Sequence, residues 1–364
     1  MHIVQILPSL NEGGVERGTI DFNKRLSALG HKSTVISSGG LMVDEISNFG
    51  GNHINFNSSS KNLFTFFKRT KKLKKIILDL CPDIIHARSR VPAWMIYHIN
   101  MDLGIPFVTT VHGFNSINFY SKIMTKGDRV IYGSHAIKNH IIKNYNINHD
   151  KLFYIPRGVD VDYFNPEKCD DKIINNFKSK YDLKNKKIIS IIGRISPWKG
   201  HDDFIKSLAK IQKKYPNIKG LIVGSDWSKD GTYLKKMKNL ALNLDADICF
   251  AGTQSNIREI YKLSDIIVSA SSSKPETFGR ISAESLAMNT PVVASAHGGT
   301  LDIIKDNENG FLFKPGDIND LIDKIELSFN YSFSNMRDSI INNFSLDNMT
   351  TKTISLYEGL LSNK

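Results

Sequence analysis

The sequence predicts an α/β protein made of two doubly wound parallel sheets. Three observations carry that prediction. The chain is 364 residues long, more than one hydrophobic core usually serves, so two domains are expected. Apolar runs of five to seven residues alternate with helical-period segments from end to end. The runs are rich in Val and Ile and nearly continuous, as strands covered on both faces require.

In the first half the strand runs are HIVQIL (2–7), STVIS (33–37), DIIHA (83–87), PFVTTV (106–111), RVIYG (129–133) and LFYIP (152–156). The second half offers KIISIIG (187–193), GLIVG (220–224), DICFAG (247–252), DIIVSAS (265–271) and TPVVAS (290–295). Between them lie amphipathic segments, such as the one that places Val15, Thr19, Ile20, Phe22 and Leu26 at helical spacing before Gly30. Gly158 and Pro166 break the pattern within RGVDVDYFNPEKCDD (157–171), which sets a join between domains at 1–160 and 161–345. A last helical segment, 346–364, is expected to pack back on the first domain. Ligands of such sheets bind at the carboxyl ends of the strands.

Composition narrows the class. Apolar content is 41% and charged content 23%, ordinary for a globular chain. The most apolar run is about ten residues, too short for a bilayer-crossing helix. MHIVQILPSL reads as a first strand, without the basic lead of a signal peptide. Cys81, Cys169 and Cys249 are far apart and match no metal spacing, so a cytoplasmic location is expected. The formal charge is +12, and residues 1–160 hold 20 Lys and Arg against 11 Asp and Glu. Much of that excess sits in KNLFTFFKRTKKLKKIILDL (61–80). It reads either as a solvated helix face or as a surface for anionic lipid or an anionic acceptor, peripheral on a membrane. Nucleic acid is not expected, because no aromatic-interleaved basic platform or zinc spacing is present.

Three βα turns carry candidate chemistry. Gly13 and Gly14 separate the first strand from its helix, so a ligand oxygen can approach backbone amides there; a plain tight turn explains them equally. The turn is not G-x-G-x-x-G, and no acidic residue ends the second strand for a dinucleotide ribose. In GRISPWKG (193–200), Arg194 and Lys199 lie in the loop after a strand. They suit a diphosphate, although both would also serve as loop charges facing water. In SKPETFGRISAESLAMNTPVVASAHGG (273–299), Glu276 precedes a helix opened by Gly279, and Glu284 lies within that helix. Carboxylates accept hydrogen bonds from hydroxyl pairs, so two of them can hold two polyol rings; helix-start acids also simply complement the dipole.

The E-x7-E pattern of PETFGRISAESLAMNTPVVAS, with GRISPWKG before it and HGG after it, resembles retaining GT-B glycosyltransferases of family 4. VHGF (111–114) and the first GG loop extend the resemblance over nearly the whole chain. Similarity is greatest to bacterial enzymes of lipopolysaccharide-core assembly that carry E-x-F-G-R. The resemblance implies a GT-B fold, two Rossmann-like domains facing across a cleft, and transfer from a nucleotide-diphosphate sugar to a glycolipid or saccharide acceptor. It further implies that Glu276 holds the donor sugar, Glu284 the ribose, and Arg194 and Lys199 the diphosphate. His112 would reach the reacting centre. Phe250 and Gly252 would flank the base, with Phe278, Gly279, His297, Gly298, Gly299 and Thr300 supplying donor contacts. No cofactor is expected, since the nucleotide sugar is a substrate, and no metal is expected, since no histidine cluster is available to hold one. Other classes consistent with parts of the sequence are a non-catalytic anionic-polymer or membrane-surface binder and a nucleotide-sugar epimerase or oxidoreductase. Asn289 stands where many relatives carry Gly, a turn position that Asn tolerates.

Overall fold

Strands apolar on both faces need cover on both sides, and parallel strands joined by helical crossovers provide it. The computed structural model describes residues 1–11, 13–228 and 230–362 and divides into two units. One unit comprises Met1–Gly158 and the chain from Leu346 onward; the other is Val159–Ser345.

The first unit holds a seven-stranded sheet: β1 (His2–Ile6), β2 (Lys32–Ser37), β3 (Asn52–Asn55), β4 (Ile84–Ala87), β5 (Phe107–Val111), β6 (Arg129–Tyr132) and β7 (Leu152–Tyr154), in the order β3-β2-β1-β4-β5-β6-β7. Alternate residues of each strand point to opposite faces. Val4 and Ile85 pack with Leu73, Ile77 and Ile96 on one side. Ile3 and Ile84 pack with Phe22, Leu26 and Tyr357 on the other. Tyr357 comes from the Leu346–Leu361 helix and meets Phe22 of the Gly14–Ala28 helix edge-on at 6.2 Å.

In the second unit six strands follow the same plan: β8 (Lys187–Ile192), β9 (Ile218–Val223), β10 (Ile248–Gly252), β11 (Ile266–Ser269), β12 (Val292–Ser295) and β13 (Phe311–Phe313), ordered β10-β9-β8-β11-β12-β13. Ile189 and Ile191 face Phe204 and Leu208, whereas Ile188 and Ile192 face Ala283 and Leu286. Asn289 takes φ of 52° before β12, the left-handed geometry expected of that turn.

Each expected strand run forms a strand, and two further strands appear. β3 reads NHIN and β13 reads FLF. Neither carries the β-branched run that marks the others. β3 borders only β2 and β13 only β12, so both are sheet edges placed by a neighbour. Winding reverses between β1 and β4 in the first sheet and between β8 and β11 in the second. These two switch points open crevices at the strands' carboxyl ends.

Candidate active site

In the second unit the loops after β8 and β11 meet at the switch point. Gly200 makes this possible: its φ is 70°, and a Cβ there would lie 1.9 Å from the Ala270 carbonyl oxygen. Only glycine lets the β8 loop rest so closely on the end of β11. The close approach brings Lys199 to Glu276, 77 positions later, and Lys199 Nζ donates to Glu276 Oε1. Ser271 Oγ donates to the same oxygen at 2.7 Å. The two charged side chains are 24% and 23% exposed, so solvent screens the pair only in part. Burial pushes the Glu276 carboxyl up, but the Lys199 charge and the hydrogen bonds from Lys199 and Ser271, with His297 adding, hold it below the usual carboxylate range. Arg194, in the same loop, is exposed and makes no side-chain hydrogen bond or ion pair among the described residues.

The loop after β12 closes against the same segment. Gly298 has φ of 65°, and a Cβ on it would stand 2.2 Å from the Glu276 carbonyl oxygen. Gly299 N donates to that carbonyl at 2.7 Å, and His297 N donates to Ser295 O. Those two amides are therefore already engaged. The amides of Gly298 and Thr300 donate to no backbone carbonyl among the described residues. His297 Nε2 is buried with no hydrogen-bond partner among the described residues. Thr300 lies beside Gly279, whose Cβ would come 3.3 Å from Thr300 Oγ1.

Glu284 sits deeper than Glu276. It is 6% exposed, accepts from Tyr261 OH at 2.7 Å, and accepts from Arg280 Nε at 2.6 Å. Its carboxylate therefore keeps limited capacity for ribose hydroxyls. The Phe278 ring packs against Phe344 in the core, and its backbone lies against Gly299, where a Cβ would stand 2.6 Å from the Phe278 carbonyl oxygen. Phe250 and Gly252 end β10, and the space beside Gly252 is open. His201, the first residue of the His201–Lys214 helix, is fully buried; burial and the neighbouring Lys199 push its imidazole down to about 4.

The remaining candidates belong to the first unit. Gly13 precedes the Gly14–Ala28 helix, and a Cβ on Gly14 would lie 2.4 Å from Arg157 Nη1. Arg157 Nη2 donates to His112 Nδ1 at 3.4 Å. With Nδ1 accepting, the neutral ring carries its proton on Nε2, which is buried without a partner among the described residues. Burial, then Arg88, Arg157 and His86, hold the His112 imidazole well below its ordinary range, so it is neutral at pH 7. Arg88 is 9% exposed, donates to Gln5 Oε1 at 2.8 Å, and is pushed down to about 10 by burial. His86 bridges Tyr357 OH at 2.7 Å and Thr110 Oγ1 at 2.6 Å; both ring nitrogens are engaged, a structural knot rather than an open site.

Ser271, Arg280, Tyr261 and Arg157 are the contributors that sequence reasoning missed. A serine in SASSSK or an arginine in IPRG gives no spacing signal. Arg280 alone was legible, as the fourth residue before Glu284 in a helix.

Two doubly wound units, one presenting paired cations and carboxylates at its switch point, define the GT-B class of nucleotide-sugar-dependent glycosyltransferases. The family model for glycosyltransferase family 4 matches residues 12–163, and that for glycosyl transferases group 1 matches residues 173–345. A glycosyltransferase from Rickettsia africae is 37% identical with a TM-score of 0.92, covering 100% of this chain and 99% of its own. The chain belongs to this glycosyltransferase family. Anabaena HepE, solved in complex with UDP-glucose, is 19% identical, with a TM-score of 0.85 over 99% of this chain and 100% of its own. The lipopolysaccharide outer core galactosyltransferase WaaB is 16% identical, with a TM-score of 0.74 over 98% and 100%. These matches favour the transferase over the anionic-polymer binder and the epimerase or oxidoreductase. Among the described residues no helix is long and apolar enough to cross a membrane.

Proposed function

We infer that this chain transfers a hexosyl group from a UDP- or GDP-sugar to a hydroxyl of a lipopolysaccharide-core or related surface-glycan acceptor, with retention of configuration. The observation that carries the reading is the Lys199–Glu276–Ser271 cluster at the β8/β11 switch point, with the exposed Arg194 in the same loop. The likeness to HepE, which binds UDP-glucose, and to WaaB, which acts in lipopolysaccharide outer core, supports the donor and acceptor classes.

Arg194 and Lys199 would meet the diphosphate, with the amides of Gly298 and Thr300 adding donors. Glu276, pinned by Lys199 and Ser271 on one oxygen, offers its other oxygen to hydroxyls of the transferred sugar. Glu284 would hold the ribose, and the backbone of Phe250–Gly252 the base. As the bond from the anomeric carbon to the phosphate oxygen breaks, negative charge grows on the diphosphate beside these cations. Removing one such contact costs roughly 10²–10³ in turnover. The acceptor oxygen bonds to the same face of the anomeric carbon while its proton passes to the departing phosphate oxygen. Both glutamates have binding work, so neither serves as the nucleophile that a two-carboxylate scheme requires. The neutral His112, with Nε2–H, would serve as a hydrogen-bond donor of the first unit. Charge neutralisation by side chains makes turnover independent of added metal. The proposed location is cytoplasmic.

The test is nucleotide release from a panel of UDP-, GDP- and ADP-sugars with wild type and Glu276→Ala. Donor-dependent release by wild type that falls at least a hundredfold in the variant supports the reading. Equal release by both, or none from any donor, refutes it.

A further inference from the structure

The Leu63–Leu80 helix of the first unit buries Thr70, Leu73 and Ile77 against the sheet. Its opening turn does the opposite: Leu63 is 78%, Phe64 99% and Phe67 69% exposed. Facing it are the Arg90–Leu103 helix and the short Phe119–Lys122 helix, where Phe119 is 78% exposed. Between these elements lies an open cleft of about 670 Å³, lined by Leu63, Phe66, Phe67, Val91, Trp94 and Phe119. Trp94 is locked in place, its indole N–H donating to Tyr120 O at 3.0 Å and its ring lying 5.3 Å from Phe119. The cleft wall is therefore set by the fold, whereas the rim is bare apolar surface.

Cations flank this surface. Lys68, Lys71, Lys72 and Lys75 follow Phe64 at four, seven, eight and eleven positions, a single stripe along the helix. All four are exposed and have no carboxylate partner among the described residues; Lys74, by contrast, pairs with Asp102. Asp79 is the only acid in the helix. A second hollow of about 390 Å³ beside it is lined by Asn55, Phe56, Asn57, Lys68, Arg69 and Lys72.

We propose that this face docks on an anionic phospholipid bilayer. Leu63, Phe64, Phe67 and Phe119 enter the acyl boundary, the cleft takes a lipid chain, and the lysine stripe meets headgroup phosphates. The commitment to a bilayer rests on charge and on shape together. Exposed aromatic side chains next to an unpaired lysine stripe are complementary to a surface that is apolar beneath and anionic above. The face is distinct from the donor-binding residues of the other unit, so the proposal goes beyond the transferase reading and stands or falls separately from it.

Flotation of the full chain with vesicles of phosphatidylcholine alone, or with about 30% phosphatidylglycerol, tests it. Phe64→Ser/Phe67→Ser and Lys68→Glu/Lys71→Glu/Lys72→Glu/Lys75→Glu are compared with wild type, each checked for an unchanged melting temperature. The expected result is at least tenfold stronger binding to the anionic vesicles, reduced in 0.5 M salt as a screened attraction must be. Each variant loses at least tenfold, while nucleotide release with a water-soluble donor is unchanged. Quenching of Trp94 by brominated lipid, absent in Trp94→Phe, locates the contact. Equal binding to both vesicles, no binding, or unaltered binding by either variant overturns the proposal. Concentration-dependent self-association abolished by the serine variant, without vesicle binding, overturns it in favour of a second copy of the chain.

Discussion

Replacing Lys199 with Met removes one charge while keeping most of the side-chain volume. Glu276 then retains only the Ser271 hydrogen bond at 2.7 Å on the oxygen that both groups share. A largely buried carboxylate deprived of its main partner costs about 1–3 kcal/mol, and its roughly one-quarter exposure favours the lower half of that range. The sign with pH follows from the cause of the shift. In wild type the folded carboxyl titrates below its unfolded value because of Lys199. That stabilisation is therefore complete above the unfolded value, about 4.3, and is lost as pH falls through the folded one. In Lys199→Met burial acts without opposition from that charge, so the carboxyl moves up and is relieved by taking a proton. The deficit in melting temperature relative to wild type should be larger at pH 8 than at pH 5. Turnover should fall by about 10²–10³, since the same ammonium is assigned to the leaving diphosphate. Thermal melts at the two pH values, with steady-state nucleotide release at pH 8, measure both effects. A kcat within threefold of wild type, together with a pH-independent melting difference, would refute the assignment.

Other outcomes follow from the same geometry. Gly200→Ala should lower both the melting temperature and turnover, because a Cβ there meets the Ala270 carbonyl and displaces Lys199 from Glu276; unchanged kinetics would contradict this. Glu284→Gln removes the negative charge that accepts from Arg280 Nε and alters the buried Tyr261 hydrogen bond. It should destabilise the fold by about 1–3 kcal/mol in urea unfolding, even without donor. His201 is held down to about 4 by burial. Stability from its neutral state is complete above the unfolded value near 6.5 and declines below it, by about 2 kcal/mol between pH 7.5 and pH 5. His201→Gln should remove that part of the acid sensitivity, as read from melts at both pH values. Turnover should be insensitive to EDTA; restoration by Mg²⁺ or Mn²⁺ after its loss would contradict the assignment of charge neutralisation to Arg194 and Lys199.

The architecture was legible because parallel strands covered on both faces leave long β-branched runs, which nothing else in a chain of this composition produces. NHIN and FLF escaped because an edge strand is selected by its single neighbour rather than by its own residues. At the site, the sequence placed Arg194, Lys199 and Glu276 after strands, which is enough to bring them to one end of a sheet. It did not pair Lys199 with Glu276, because that contact depends on the depth at which the Gly200 loop rests on β11. Ser271 and Tyr261 were invisible for a related reason: their roles come from distance to a carboxylate, and no periodicity records that distance. The family resemblance assigns Glu284 to the ribose hydroxyls. Burial beneath Tyr261 and Arg280 gives it a larger structural share than its position in the helix revealed.

The most direct measurement is the melting temperature of wild type and of Arg194→Ala/Lys199→Met during titration with UDP, GDP and ADP. Binding to the folded state alone contributes about 2.7 kcal/mol at a hundred times Kd. One nucleoside diphosphate should raise the wild-type transition in proportion to the logarithm of its concentration and leave the double variant unmoved. No response from wild type to any of the three, or an equal response from the variant, would contradict a diphosphate seat built from these two cations.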